Sequence, residues 1–159
     1  MMGSPFNTSQ PKPRHKRVKL LNGTEITFDS GHEFNVYKVL SASPAIEIAT
    51  LQEPLLIKQG SYRYPEKSWR VDFTVLRKDI SHPYFVEAKS YPTAMDKAFR
   101  LTLEMLDSIS PNDVGYLLIV LPNSNKSSCA TIAKRLGLEL SQVTTLDGLS
   151  ARLEIGCLL

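Results

Sequence analysis

Two short stretches contain the residues of this chain that are best suited to chemistry. Residues 69–75 place Asp72 among apolar neighbours, and residues 84–90 place Glu87 and Lys89 two positions apart. Both stretches are rich in β-branched and aromatic residues, which predicts two paired strands joined by a polar loop. In such a pair Asp72 stands beside Glu87, and Glu87 and Lys89 point to the same face. Two carboxylates and an ammonium group brought together could hold a divalent metal ion against a phosphate.

Charged residues on a strand also have an ordinary explanation. A Glu-x-Lys sequence on a solvent-facing strand commonly makes a cross-strand ion pair worth about 0.2–1 kcal/mol. Here, however, the charged residues are flanked by Val71, Phe73, Val86 and Ala88. Charges inside apolar runs are costly unless they are paired or bind an ion. The combination therefore favours a functional site over a solvated surface.

The surrounding pattern predicts a mixed α/β fold. A hairpin around Asn22-Gly23 precedes a helix whose start Asp29 or Ser30 can cap, with Glu33 as the capping-box partner. A strand at 46–57, in which Pro54 is a candidate break, comes before the two strands already described.

An amphipathic helix follows, from Pro92 to about Ser108 with Thr93 as its N-cap, and then an almost wholly apolar strand at 114–121. Such a helix crossover requires the last strand to run parallel to an earlier one. The expected core is a mixed sheet of about four strands with a helix on each face. Shorter helices are predicted at 127–136 and 146–153, with an extended segment or turn between them.

The spacing of the charged residues resembles that of the PD-(D/E)XK nuclease superfamily. Asp72 followed by Glu87-Ala88-Lys89 matches its motif, with Val71 in place of the usual proline. Residues 28–37 resemble the first core helix of the family, and Glu33 matches the acidic residue that this helix supplies in many members. The layout is most similar to small phage resolvase-like and transposon end-cleaving endonucleases.

The resemblance implies a restriction-endonuclease-like core and a metal-dependent endonuclease that hydrolyses phosphodiester bonds in DNA. The implied Mg²⁺ ligands are the carboxylates of Asp72, Glu87 and Glu33 and the carbonyl of Ala88, and Mn²⁺ could replace Mg²⁺. The implied place of Lys89 is beside the attacked phosphate. Transposition, homing and junction resolution all remain open as pathways. The implied partners are a second copy of the chain, or a recombinase or transposase.

A function from another class also fits this pattern. The alternative is a catalytically inactive nucleic-acid-binding or assembly module on a nuclease-like fold. The resemblance covers residues 24 to about 122, and the chain has no phosphate-binding glycine-rich loop, so no nucleotide cofactor is expected.

Basic residues are concentrated near the N-terminus. Residues 1–17 are predicted to form a flexible basic arm before a core at 18–122, and residues 123–159 to pack on that core as an extension. Such an arm can neutralise phosphates, although it could equally be a solubilising tail. The predicted DNA-contacting residues are Lys12, Arg14, Lys16, Arg17, Lys19, Lys97 and Arg100.

Composition limits the remaining classes of protein. The chain has 159 residues, 42% of them hydrophobic, and a formal net charge of +3, which suits one globular domain. No apolar run reaches the roughly 18 residues of a membrane span, and the N-terminus does not resemble a secretory signal. Cys129 and Cys157 have no nearby Cys or His partner in sequence. A cytoplasmic location is therefore the expectation.

Other polar residues give weaker predictions. Gln52 lies on the strand before Asp72 and could approach the site, although a surface position is the expectation for a glutamine on a strand. His32 is predicted to be solvated near a helix start. Trp69 is predicted to belong to the core. The Ser30/His32 and Ser81/His82 pairs lack the elbow and oxyanion motifs of a nucleophilic site.

Overall fold

The computed structural model describes residues 16–19 and 23–159. Lys12 and Arg14 of the predicted arm lie outside these residues, as do the side chains of Lys16 and Lys19. The strands are β1 (Lys16–Lys19), β2 (Glu25–Phe28), β3 (Ile46–Lys58), β4 (Lys67–Arg77), β5 (Tyr84–Ala88), β6 (Leu117–Leu121) and β7 (Val143–Thr145). The α-helices are α1 (Gly31–Ala42), α2 (Tyr91–Ala94), α3 (Lys97–Ile109), α4 (Pro111–Gly115), α5 (Cys129–Leu136) and α6 (Leu146–Glu154).

A five-stranded mixed sheet forms the centre of the fold, in the order β3-β4-β5-β6-β7. β3, β4 and β5 are antiparallel neighbours, whereas β6 runs parallel to β5 and β7 parallel to β6. The predicted mixed sheet and the parallel final crossover are therefore confirmed. The prediction of about four strands is wrong by one, because β7 has only three residues and was predicted as a turn or extended segment.

Helices cover both faces of this sheet. One hydrophobic core contains Phe99 and Leu103 of α3 and Ile132 of α5. The other contains Leu40 of α1 and Leu149 of α6. All five residues of β6 are buried, as expected for a strand between two cores. In the parts of the chain that the structure describes, no helix is long and apolar enough to cross a bilayer.

Three boundaries differ from the sequence prediction. β3 continues through Pro54, which is opposite Arg70, because β3 is an edge strand and its unpaired side needs no N–H donor. The predicted start of β6 at residue 114 is wrong because Pro111–Gly115 forms a helical turn. The N-terminal hairpin begins at Lys16, two residues before the predicted start at Val18, and Gly23 in its turn has a φ of 85°.

The helix after the charged strands is divided in two. The short helix α2 has Ser90 as its N-cap, and α3 starts at Lys97. Asp96 caps α3 by accepting a hydrogen bond from the Ala98 N–H at 3.1 Å. The prediction of Thr93 as N-cap of one long helix is therefore wrong: its backbone lies inside α2, and Asp96 starts a new helix two residues after α2 ends.

Candidate active site

Asp72 and Glu87 meet where β4 and β5 separate. The strand pairing runs from Val75–Tyr84 to Phe73–Val86, and beyond it carboxylates bind the backbone N–H groups. The Asp72 N–H donates to Glu87 Oε2 at 2.9 Å, and the Ala88 N–H donates to Asp72 Oδ2 at 2.9 Å. Asp72 therefore stands beside Glu87, as predicted, and both side chains are buried.

Asp72 also lies at the boundary between the two cores. Val71 belongs to the core of α3 and α5, whereas Phe73 belongs to the core of α1 and α6. The Asp72 carboxylate is buried between these cores, and the hydrogen bonds that it accepts fix its orientation.

Lys89 points to the same side as Glu87, as the alternation of side chains predicts. Its Nζ lies 2.9 Å from Glu87 Oε1 and 4.7 Å from the centre of the Phe99 ring. The Lys89 side chain is 23% exposed, whereas that of Glu87 is 3% exposed. The ammonium group is thus held between a carboxylate and an aromatic ring and still reaches solvent.

Glu33 joins the site from the first turn of α1. Ser30 caps the helix by accepting the Glu33 N–H at 3.1 Å, and Glu33 Oε2 accepts the Asp29 N–H at 3.0 Å. Its other oxygen, Oε1, accepts a hydrogen bond from Gln52 Nε2 at 3.2 Å. The buried Glu33 side chain therefore contacts both the backbone at the start of α1, as predicted for the capping-box partner, and Gln52 of the sheet.

Gln52 is the site residue that the sequence prediction missed. Its Nε2 donates to Glu33 Oε1 and, at 3.0 Å, to Asp72 Oδ1, so one carboxamide bridges two carboxylates. Gln52 has a φ of 55°, the single positive φ among the described residues other than glycine. Such backbone strain is often found at functional sites. Nothing about Gln52 alone marks it as a site residue in the sequence. It becomes the neighbour of Asp72 only when β3 and β4 are paired.

Burial makes all three carboxylates harder to ionise. Burial, followed by the charge of Asp72, raises the pKa of Glu33 to about 7. The same two causes, in the same order, raise the pKa of Glu87 to about 8. Burial also raises the pKa of Asp72, against the lowering effects of the Ala88 N–H and the Lys89 charge. If all three ionise, Lys89 alone cannot neutralise them, and the site holds excess negative charge.

The donor set fits a hard divalent cation. Carboxylate oxygens are the ligands that Mg²⁺ prefers, and each oxygen has two lone pairs, of which the hydrogen bonds given above use only some. A divalent ion would offset the excess charge of Asp72, Glu87 and Glu33. Within residues 16–19 and 23–159, however, no group of three or more His, Cys, Asp and Glu side chains is arranged closely enough to hold a metal ion. Binding of one metal ion by all three carboxylates would thus require their side chains to move closer together.

The predicted DNA-contacting residues are only partly brought to this site. Lys97 is exposed in the first turn of α3, the helix that places Phe99 beneath Lys89. Arg100 is exposed and pairs with Glu104 at 3.1 Å. Arg17 lies in β1, with its Nε 4.0 Å from Glu25.

Two other predictions have clear outcomes. His32 is not simply solvated: it is half-buried, and its Nε2 lies 2.9 Å from the Val120 carbonyl oxygen, which ties α1 to the end of β6. Trp69 packs against the core, with its ring 5.9 Å from that of Phe99, as predicted.

Comparisons with known proteins identify no relative. No family model, no curated protein and no solved structure matches this chain. The PD-(D/E)XK resemblance accordingly stays a prediction that depends on the residues themselves.

Proposed function

We propose that this protein is a metal-dependent endonuclease that hydrolyses phosphodiester bonds in DNA. The observation that carries the proposal is the contact of Asp72, Glu87 and Lys89 across β4 and β5, with Glu33 and Gln52 connected to it. Buried carboxylates with raised pKa values beside a partly exposed lysine are typical of catalytic sites.

In this proposal Asp72, Glu87 and Glu33 would hold the metal, with the Ala88 carbonyl as a further neutral ligand. A bound Mg²⁺ would stabilise charge on the phosphate and lower the pKa of attacking water. The Gln52 carboxamide would keep the carboxylates of Glu33 and Asp72 at a fixed separation.

Lys89 would contact the phosphate directly. Its ammonium group is held by Glu87 and Phe99 but reaches solvent, so it can donate a hydrogen bond to a non-bridging phosphate oxygen. Negative charge grows on the non-bridging phosphate oxygens as water attacks phosphorus and the bond to the leaving sugar oxygen breaks. A positive charge fixed in advance stabilises that state more than the ground state.

A second function is favoured by a specific observation. Both oxygens of Glu87 are already engaged, by Lys89 Nζ and by the Asp72 N–H. The same residues could therefore be a purely structural polar network in a catalytically inactive nucleic-acid-binding or assembly module. The two functions differ in whether added metal causes DNA to be cut.

The test is a cleavage panel with purified full-length protein. Supercoiled plasmid, linear duplex and four-way-junction DNA are each incubated with Mg²⁺, with Mn²⁺ and with EDTA. The proposal expects cleavage of at least one substrate in both metals and none in EDTA. Binding without cleavage of any of the three would support the inactive module instead.

The preferred substrate would also separate the possible pathways. Cutting of the four-way junction alone would indicate resolution, and cutting at a long defined sequence would indicate homing. A requirement for an added recombinase or transposase would indicate transposition. Double-strand products would call for two active sites, most simply a two-fold homodimer.

A further inference from the structure

The hairpin formed by β3 and β4 extends well past the candidate active site. β5 pairs with β4 only at residues 73–75, and the contact of Asp72 with Glu87 marks the end of that pairing. Beyond Asp72, β4 and β3 remain paired to Lys67 and Lys58. Lys67 lies five positions from Asp72 along β4, which corresponds to about 17 Å.

The base of this hairpin is firmly held. Leu55 and Val71 belong to the core beneath α3, and Trp69 packs on Phe99, the ring that also contacts Lys89. The hairpin and the candidate active site therefore share one rigid support.

The tip of the hairpin is a defined turn. The Ser61 N–H donates to the Tyr64 carbonyl at 2.7 Å, and the Tyr64 N–H donates to Ser61 Oγ at 3.2 Å. At Gly60 an added Cβ would lie 3.1 Å from the Glu66 nitrogen, so the two sides of the hairpin meet closely there. This turn places Tyr62 and Arg63 at the outermost point.

Two tyrosine rings at the tip are left in solvent. Tyr62 is fully exposed, and Tyr64 is 64% exposed with the Lys58 ammonium 5.5 Å from its ring centre. Exposed single aromatic residues are common, but two of them two residues apart on a projecting tip form a surface on which planar groups can stack.

Positive charge surrounds these rings. Residues 58–70 contain the cations Lys58, Arg63, Lys67 and Arg70, and Glu66 as the sole carboxylate. All four cations are exposed, and among the described residues none forms an ion pair within 4.0 Å. The segment's formal charge of +3, four cations less one carboxylate, equals that of the whole chain. A polyanion is therefore the ligand whose charge complements this surface.

We infer that this tip binds unpaired bases of a DNA substrate, with Tyr62 and Tyr64 stacking on the bases and the surrounding cations contacting phosphates. Stacking on exposed aromatic rings combined with cationic contacts is the general mode of single-strand binding. Bases inside a duplex offer no free face to a tyrosine, whereas bases in a tail or a branch do. The inference depends on the proposed nuclease function for its substrate.

The length of the hairpin also sets the distance between the tip and the candidate active site. Lys67, where the paired strands end, lies about 17 Å from Asp72, and the tip lies beyond Lys67. At 3.4 Å for each nucleotide this distance corresponds to about five nucleotides or more. The structure thus favours a branched or tailed DNA whose unpaired region begins about five or more nucleotides from the cut.

The test is DNA binding by full-length protein in EDTA, so that binding is measured without cleavage. The probes are a blunt duplex and the same duplex with a thymidine tail, both fluorescently labelled. The double variant Tyr62→Ala/Tyr64→Ala should lose about 10-fold or more in affinity for the tailed probe, and much less for the blunt probe. Tyr62→Phe/Tyr64→Phe should bind like the native protein, because stacking needs the ring and not the hydroxyl.

Several results would overturn the inference. They are equal binding of both probes by the native protein, unchanged tailed-probe binding by the alanine variant, and equal losses on the two probes. If the tip binds a protein partner instead of DNA, the alanine variant should bind the tailed probe as well as the native protein does. Circular dichroism of each variant checks that the fold is retained.

The outcome is separable from that of the proposed function. If the native protein cleaves DNA when metal is added, but the alanine variant binds the tailed probe normally, only the role of the tip is refuted. Tail-specific binding through the tyrosines without any cleavage would refute the nuclease and leave the binding site standing.

Discussion

At the scale of single residues, the buried carboxylates make metal-free stability depend on pH. Burial raises the pKa of Glu33 to about 7 and the pKa of Glu87 to about 8, from an ordinary pKa of 4.5. Between these values the unfolded chain binds fewer protons, so the free energy of unfolding falls as the pH rises. Ionising these carboxyls therefore destabilises the folded protein more than it destabilises the unfolded chain.

The measurement is urea unfolding in EDTA at pH 5 and pH 8. We expect the native protein to be less stable at pH 8, and Glu33→Gln to show a smaller loss. Glu154→Gln, which changes an exposed carboxylate on α6, is the matched control and should behave like the native protein. Equal pH dependence in all three proteins would contradict the account. Added Mg²⁺ should reduce the loss at pH 8, because it stabilises the ionised carboxylates.

Gln52 offers a test of strained backbone. Both Gln52→Ala and Gln52→Gly remove the hydrogen bonds to Glu33 and Asp72, so the two variants differ only in backbone preference. At a φ of 55° alanine is strained, and we expect the glycine variant to be more stable by about 1 kcal/mol. In an ordinary strand the order is reversed, because glycine is the less stable residue there. Urea unfolding distinguishes the two orders.

The sequence made most of this site predictable. The alternation of side chains on a strand is a local property, and it brought Asp72, Glu87 and Lys89 together correctly. Gln52 and His32 were misjudged because their partners lie 20 and 88 residues away. Their environment depends on strand pairing and helix docking, which composition and spacing do not reveal.

At the scale of elements, the division between α2 and α3 is a capping effect. Apolar residues continue at helical spacing from Ala94 to Leu106, so periodicity alone predicts one helix. The structure shows that Asp96 instead accepts the Ala98 N–H and starts α3. β7 was missed for a related reason, since three residues carry too little pattern to mark a strand.

Asp96→Ala should therefore destabilise the protein by about 0.5–2 kcal/mol, as loss of a helix N-cap usually does. Asp107→Ala removes an exposed carboxylate from the same helix without removing a cap, and should change stability by less than about 0.5 kcal/mol. Thermal or urea unfolding of the two variants provides the comparison. Similar losses in both would mean that the cap does not determine where α3 begins.

At the scale of the whole molecule, the predicted basic arm should act on binding more than on chemistry. Because β1 starts at Lys16, the natural truncation removes residues 1–15 and keeps the hairpin. We expect the truncated protein to bind duplex DNA more weakly, and each phosphate that the arm no longer neutralises should reduce the log–log salt slope by about 0.9. Cleavage at saturating DNA should persist. An unchanged slope would show that the arm is only a solubilising tail.

The central claim is that the carboxylates and lysine where β4 and β5 separate cut DNA with the help of a metal ion. The most direct test compares native protein, Asp72→Asn and Glu154→Gln under single-turnover conditions on supercoiled plasmid in Mg²⁺. Asp72→Asn keeps the size of the side chain and removes its charge, whereas Glu154→Gln makes the matching change outside the site. We predict nicked or linear plasmid from the native protein and Glu154→Gln, and none from a folded Asp72→Asn variant. Cleavage by Asp72→Asn at the native rate would contradict the claim.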